Sequence, residues 1–160
     1  KYGIDTVIHM GDAFDSRRGI EFQSLQWSKR VLFDPLRDMG AKMHLIVGNH
    51  DAYYKNSNKI NSIELLLTEY DNITKYSKAT EVNVEGLDIL FVPWICEENE
   101  KDTYNLIKKT KAKFAMGHLE LNSFKVNKYV VMDHGANNEI YSKFDKVCEQ
   151  SISVIPQYLL

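Results

Sequence analysis

The chain has 160 residues, 44% hydrophobic and 26% charged, the make-up of one soluble globular domain that can build its core without disulfides or a structural metal. Its formal net charge of −2 offers no basic footprint, so a nucleic-acid substrate would have to be attracted by a local patch, a metal or another chain. Cys96 and Cys148 lie far apart without CxxC spacing, the longest apolar run is far below membrane length, and nothing signal-like opens the chain, which together point to a reducing compartment and no membrane span.

The opening KYGIDTVIHMGD enters a strand almost at once, without an initiating Met, and reads as the interior of a longer protein. DTVIHM (5–10) is a short β-rich run closed by Gly11, and KMHLIV (42–47) is a second, closed by Gly48. Between them, EFQSLQWSKRVLFDPLRDM (21–39) places Phe22, Leu25, Trp27, Val31, Leu32, Leu36 and Met39 at roughly helical spacing, with Pro35 kinking or restarting the helix. Strand, helix and strand joined by short turns predict a βαβ unit and a parallel sheet, whose ligand sites lie beyond the carboxyl ends of its strands.

NKINSIELLLTEY (58–70) predicts a second helix, capped by Asn61 or Ser62. NITKYS, ATEVNVEG and LDILFVPWI then read as strands, the last two forming a hairpin around Glu85-Gly86. EENEKDTYNLIKKTK predicts a polar-faced helix, whose KKTKAK run faces solvent, and AKFAMGHLEL a strand ending at a Gly-His pair. KVNKYVVMDHG predicts a further strand and turn, whereas CEQSISVIPQYLL has no clear period. With no repeat, linker or low-complexity segment, the chain divides into one domain over 1–147 and a divergent tail over 148–160.

Three strand ends deliver chemistry: GDAFD (11–15), GNHD (48–51) and GH (117–118). Each has a Gly where the backbone must turn sharply, followed by hard or borderline metal ligands. The Asp12 carboxylate can bridge two divalent cations, with the Asn49 amide oxygen and the His118 imidazole completing the shell of one. Two metals about 3.5–4 Å apart are the usual arrangement for in-line attack of an activated hydroxide on a phosphate ester. His50, beside a ligand but pointing elsewhere, can stabilise the phosphorane charge or protonate the leaving oxygen. Such a histidine needs a partner to fix its tautomer, and Asp15 is the candidate.

G-D-x-x-D, G-N-H-D and a later G-H, in that order on separate strands, resemble the calcineurin-like metallophosphoesterase superfamily. GNHD rather than GNHE leans away from the protein Ser/Thr phosphatases. RVLFDPLRDMGAKMHLIVGNHD, NSIELLL, NITKYS, FVPWI and AMGHLELN are similar to the Mre11/SbcD-type nuclease subunits, their phage recombination-endonuclease members in particular. The resemblance implies an α/β fold, a layered sheet flanked by helices, without the first strand and the closing strands. It implies that Asp12 is the bridging ligand, that Asn49 and His118 hold the second metal, and that His50 is the transition-state histidine oriented by Asp15. It further implies Mn²⁺ as the metal and cleavage of DNA, exo- and endonucleolytic, in recombination and repair. The subunit would be a dimer bound to an SMC-like ATPase, in the host cytoplasm if phage-encoded.

Two of the family's motifs are missing from the sequence: D-x-H, which precedes G-D-x-x-D, and G-H-x-H, which should follow KFDKV (143–147). Of four protein ligands, the first metal would keep only Asp12; the second would keep Asp12, Asn49 and His118. The expectation is one weak cation site, water filling the remaining positions, and little or no two-metal catalysis from these residues. A phosphatase or cyclic-nucleotide phosphodiesterase of the same fold, and a degenerate module that docks partners without catalysis, are the competing readings.

Several residues have plainer readings. Asp12 can be a turn Asp, Asn49 a left-handed turn residue and His118 a satisfied strand-end histidine, and only their occurrence together raises them. Asp51 caps or holds its loop, while His9 and His44 belong to the core or to the surroundings of the site. His134 is a turn histidine before it is a ligand. Arg17 and Arg18 either meet phosphate or form a solvated pair. Tyr53, Tyr54 and Lys55 either touch a DNA backbone or base or form an aromatic surface loop.

Overall fold

The computed structural model describes residues 5–119 and 138–149. Strand β1 (Thr6–His9) pairs in parallel with β2 (Lys42–Ile46), and β2 pairs in parallel with β5 (Ile73–Tyr76). A hairpin of β3 (Ala52–Tyr54) and β4 (Ser57–Asn61) follows the end of β2. The second sheet has the order β6-β7-β8-β9. In it β6 (Thr80–Val84) is antiparallel to β7 (Leu87–Val92), while β8 (Phe114–Gly117) and β9 (Lys146–Glu149) run parallel to β7.

The crossover between β1 and β2 is helical over Phe22–Asp38 and interrupted where the sequence predicts. Helix α1 (Phe22–Ser28) runs into a π-helical turn (Lys29–Phe33), and α2 (Asp34–Asp38) restarts with Pro35 in its first turn. Proline has no N–H and its ring crowds the preceding turn, so the widened turn and restart are how the chain passes it. The crossover buries Phe33, with Leu25 and Leu36 partly buried against the core, and leaves Phe22, Trp27 and Met39 more than half exposed.

Three apolar groups hold the layers. Met43, Leu45 and Val47 of the first sheet pack with Phe33, Ile63 and Leu67 on its helical side. Ile46, Tyr76, Ile89 and Phe91 fill the space between the two sheets. Leu90, Val92 and Ala115 pack with Ile107 of α4 (Glu100–Lys109) on the far side. The result is helix, sheet, sheet, helix: the layered α/β architecture, with two sheets where the βαβ pattern by itself predicts one. The Lys143 ammonium donates to the carbonyls of Ile107, Lys108 and Thr110 at 3.0, 3.2 and 2.7 Å, satisfying the exposed carbonyl end of α4.

The helix expected over 58–70 is shorter. Residues 57–61 form β4, and α3 covers only Ser62–Leu66. Asn58 and Asn61 are buried and bind backbone, Asn58 Nδ2 to the Trp94 carbonyl and Asn61 Nδ2 to the Asn58 carbonyl, both at 2.9 Å. Ile60 is left exposed, so this segment has no apolar helical face to bury. Asn61 caps α3 by accepting the Glu64 N–H at 2.9 Å. The β6–β7 hairpin turns at Glu85 (φ 50°) and Gly86 (φ 89°), a two-residue turn of the kind that matches strand twist. The strand expected from KVNKYVVMDHG, His134 and residues 150–160 of the tail lie outside the described residues. Among the described residues no helix is long and apolar enough to cross a membrane.

Candidate metal centre

The three polar motifs meet at one edge because main-chain bonds tie the carboxyl ends of the two sheets together. Trp94 N–H donates to the Val47 carbonyl at 2.9 Å, and His118 N–H donates to the Val92 carbonyl at 3.0 Å. The loop after β2 and the loop after β8 are thereby held against each other, with the loop after β1 packed between them.

The glycines make this approach possible, and only one does so by its backbone conformation. Gly11 has φ 106°, and a Cβ there would lie 2.7 Å from His118 Nδ1. Gly48 and Gly117 have no positive φ; a Cβ on Gly48 would sit 2.2 Å from Asp12 Oδ1, and one on Gly117 2.1 Å from the Val92 carbonyl oxygen. The sharp turn expected at all three is therefore found at Gly11, while at the others close backbone approach excludes a side chain. Asp12 itself is left-handed, with φ 54°, a conformation that costs a non-glycine residue energy and that the surrounding bonds must hold.

Those bonds come from Asp51. Its side chain is 1% exposed, and its Oδ2 accepts the N–H groups of Asp12 and Gly48, both at 2.8 Å. Its Oδ1 accepts the Phe14 N–H at 3.2 Å and the Ser62 hydroxyl at 3.3 Å. One carboxylate thus clamps the loop after β1 to the loop after β2, which is the loop-holding reading of this residue. Burial pushes its pKa up to about 6, against the lowering effect of the N–H donors.

Asp12, Asn49 and His118 converge within this frame. The Asp12 carboxylate accepts the His50 N–H on Oδ1 at 2.9 Å and places Oδ2 3.5 Å from His118 Nε2. His118 is 1% exposed, and its Nδ1 lies 3.2 Å from the Met10 carbonyl. A carbonyl can only accept, so Nδ1 carries the proton and Nε2 presents its lone pair. The Asn49 amide oxygen lies 2.8 Å from that Nε2. The same amide position is 3.2 Å from Asp12 Oδ2.

Three lone-pair atoms, 2.8, 3.2 and 3.5 Å apart, thus face one another. Rotating the amide would let its NH₂ donate to the other two, so the triangle is satisfied either by that rotation or by a cation between them. Adjacent ligands of an octahedral cation bonded at about 2.1 Å are about 3 Å apart, so the donor set fits a small divalent ion in both chemistry and spacing. The set is an oxygen, an amide oxygen and an imidazole; among the described residues no group of three or more His, Cys, Asp or Glu side chains has metal-holding geometry.

His50 points away from this triangle. Its Nδ1 lies 2.6 Å from the carbonyl oxygen of Asp15, while the Asp15 carboxylate is 3.9 Å away and 98% exposed. The expected partner residue is in place, but its main chain makes the short contact. His50 Nδ1 is therefore the protonated nitrogen, leaving Nε2 for a ligand.

His9 borders the cluster, with Nδ1 buried and without a hydrogen-bond partner. Burial holds its pKa down, partly opposed by Asp12 and reinforced by His118. His44 lies between the sheets with Nδ1 2.8 Å from the Tyr76 hydroxyl, and its pKa too is lowered by burial. Arg17 neither projects as a free phosphate ligand nor stands solvated: its guanidinium lies 4.9 Å above the Trp94 ring and donates to the Ala52 carbonyl at 3.2 Å. The clamp made by Asp51 has one signal in the sequence, an Asp directly after Asn-His at a strand end.

A profile of the calcineurin-like phosphoesterase family matches residues 1–149. The chain is 37% identical over 147 residues to exonuclease subunit 1 of Enterobacteria phage T4, an alignment covering 92% of this chain and 43% of that protein. It therefore spans less than half the length of this curated relative. The chain belongs to the calcineurin-like phosphoesterase family.

Proposed function

We propose that this member of the calcineurin-like phosphoesterase family carries part of the metal-dependent phosphodiester-hydrolysing site of a DNA nuclease subunit, the part built around one cation, with weak activity of its own. The observation that carries the reading is the convergence of Asp12 Oδ2, the Asn49 amide and His118 Nε2 with their lone pairs facing inward. Asp12, Asn49 and His118 would hold a divalent cation, Mn²⁺ by preference, which when bound supplies Lewis acidity at a phosphoryl oxygen and acidifies coordinated water. His50, fixed as the Nδ1–H tautomer by the Asp15 carbonyl, keeps Nε2 directed to the phosphate, where its protonated form stabilises developing negative charge or gives a proton to the leaving oxygen. Asp51 keeps both loops in register and does not touch substrate.

A nucleic-acid substrate is supported by the relative being an exonuclease subunit; DNA in particular, and a role in recombination or repair in a host cytoplasm, follow from the resemblance to the phage members of the family. That the relative is one subunit of an exonuclease also supports a partner chain, which the family resemblance points to as an SMC-like ATPase. The exposed Phe22, Trp27 and Val31 of the first crossover support a self-association surface for a homodimer.

Titration calorimetry with Mn²⁺ tests the site. One weak binding event is expected, abolished by Asp12→Asn and by His118→Ala, together with slow hydrolysis of bis-p-nitrophenyl phosphate that His50→Ala removes. No heat with the parent chain, or heat indifferent to His118→Ala, would sink the proposal.

A further inference from the structure

We propose that Tyr53 and Tyr54 form a stacking platform for an unpaired base of single-stranded nucleic acid beside the site; this rests on reading that site as phosphodiester-cleaving. The two residues follow Ala52 in the short β3 strand, which starts directly after the loop that carries Asn49, His50 and Asp51. Consecutive strand residues ordinarily point to opposite faces, but the register between β3 and β4 shifts between Ala52 and Tyr54. The irregularity re-aims one side chain, and the two rings meet edge to face, with centroids 4.8 Å apart and planes at 85°. In a perpendicular pair at least one ring keeps a face that its partner does not cover. Both residues remain exposed, at 42% and 49%.

Two adjacent large aromatics left on the surface next to the loop of a candidate phosphate site form the kind of exposed patch that marks a ligand surface. The strand beneath them is well anchored. Ala52 is fully buried, its carbonyl accepts from Arg17, and the Asp51 carbonyl accepts the Ser62 N–H at 2.9 Å. The platform is therefore fixed relative to His50 and does not hang from a loose loop.

The charge balance points the same way. With a net charge of −2, the chain has no diffuse positive field for a polyanion, so contacts that do not depend on charge add to what a local patch, a metal or another chain supplies. Base–aromatic stacking is such a contact. It selects against duplex, because paired bases already have both faces covered, and it is indifferent to sequence because every base has a face. Exposed Lys55 follows the tyrosines and suits the backbone phosphate of the same nucleotide.

The test is fluorescence anisotropy of a labelled twelve-nucleotide oligothymidylate in EDTA, with the parent chain and the variants Tyr53→Ala, Tyr54→Ala, Tyr53→Phe and Tyr54→Phe. At least one alanine variant is expected to weaken binding by about fivefold or more, the low end of stacking one base on one ring. The phenylalanine variants should bind like the parent, since the ring and not the hydroxyl does the stacking. A blunt duplex of the same length should bind weakly and indifferently to these changes. Parent-like binding by both alanine variants, no binding by the parent, or equal sensitivity with duplex would overturn the platform, the first outcome leaving the surface to a protein partner. Turnover of bis-p-nitrophenyl phosphate by the parent chain reports the hydrolytic site by itself, without an oligonucleotide. Loss of that turnover in the parent would strike the hydrolytic reading, while oligonucleotide binding decides the platform separately.

Discussion

Replacing Asp51 probes the frame of the site without touching its ligands. In Asp51→Ala the N–H groups of Asp12, Phe14 and Gly48 lose their acceptor inside a region where the side chain is 1% exposed. Each buried donor left unpaired costs about 1–3 kcal/mol, and water entering the small cavity recovers part of it, so a loss of about 3–5 kcal/mol is expected. Asp51→Asn can keep the Asp12 and Gly48 donors on its one oxygen and turn its NH₂ to the Ser62 hydroxyl, leaving Phe14 N–H unpaired at about 1–3 kcal/mol. The pH dependence separates the two effects. The native pKa of about 6 lies above the ordinary 3.8, so the folded state binds the extra proton between these values. The contribution of this titration to stability is complete below about pH 4 and is lost as pH rises through about 6, by roughly 2–3 kcal/mol. Asparagine does not titrate, so its stability relative to the parent should improve by that amount between pH 4 and pH 7.5. Urea unfolding at the two pH values, with calorimetry for Mn²⁺ in parallel, measures both. An alanine variant within 1 kcal/mol of the parent, or an asparagine gap that does not move with pH in this direction, would refute the clamp.

Other outcomes follow from the same geometry. Asp15→Asn should leave His50 in its Nδ1–H tautomer by nitrogen NMR and change reporter turnover less than about fivefold, because the exposed carboxylate contact is worth about 0–1 kcal/mol while the carbonyl remains. Gly48→Ala should weaken Mn²⁺ binding about tenfold or more, since its Cβ would fall 2.2 Å from Asp12 Oδ1 and 2.3 Å from the Asp12 backbone nitrogen, which cannot yield as a flexible side chain would. Asn61→Ala removes the cap of α3 and its bond to the Asn58 carbonyl, and should cost about 1–2 kcal/mol in urea unfolding. Lys143→Met should cost about 1–2 kcal/mol by uncovering three carbonyls at the end of α4, with no change in metal affinity.

The sequence by itself determined the elements whose causes are local. Pro35 forces the restart in the first crossover, Glu85-Gly86 accepts the left-handed turn, and Asn61 caps the helix after it, each through its own backbone and a neighbour. The motifs G-D-x-x-D, G-N-H-D and G-H likewise named the family and singled out Asp12, Asn49, His50 and His118, because their side-chain types and spacing can be read without the fold. What depends on distant groups was decided only by the tertiary structure. Residues 57–61 became a strand because Asn58 and Asn61 find backbone partners across the fold and Ile60 finds no core. Asp15 holds His50 through its carbonyl, a contact in which the side chain has no part and which no residue pattern encodes. Asp51 clamps two loops, and Gly48 and Gly117 make room for backbone rather than for a turn, because parallel strands from two sheets bring residues far apart in sequence into contact at one edge.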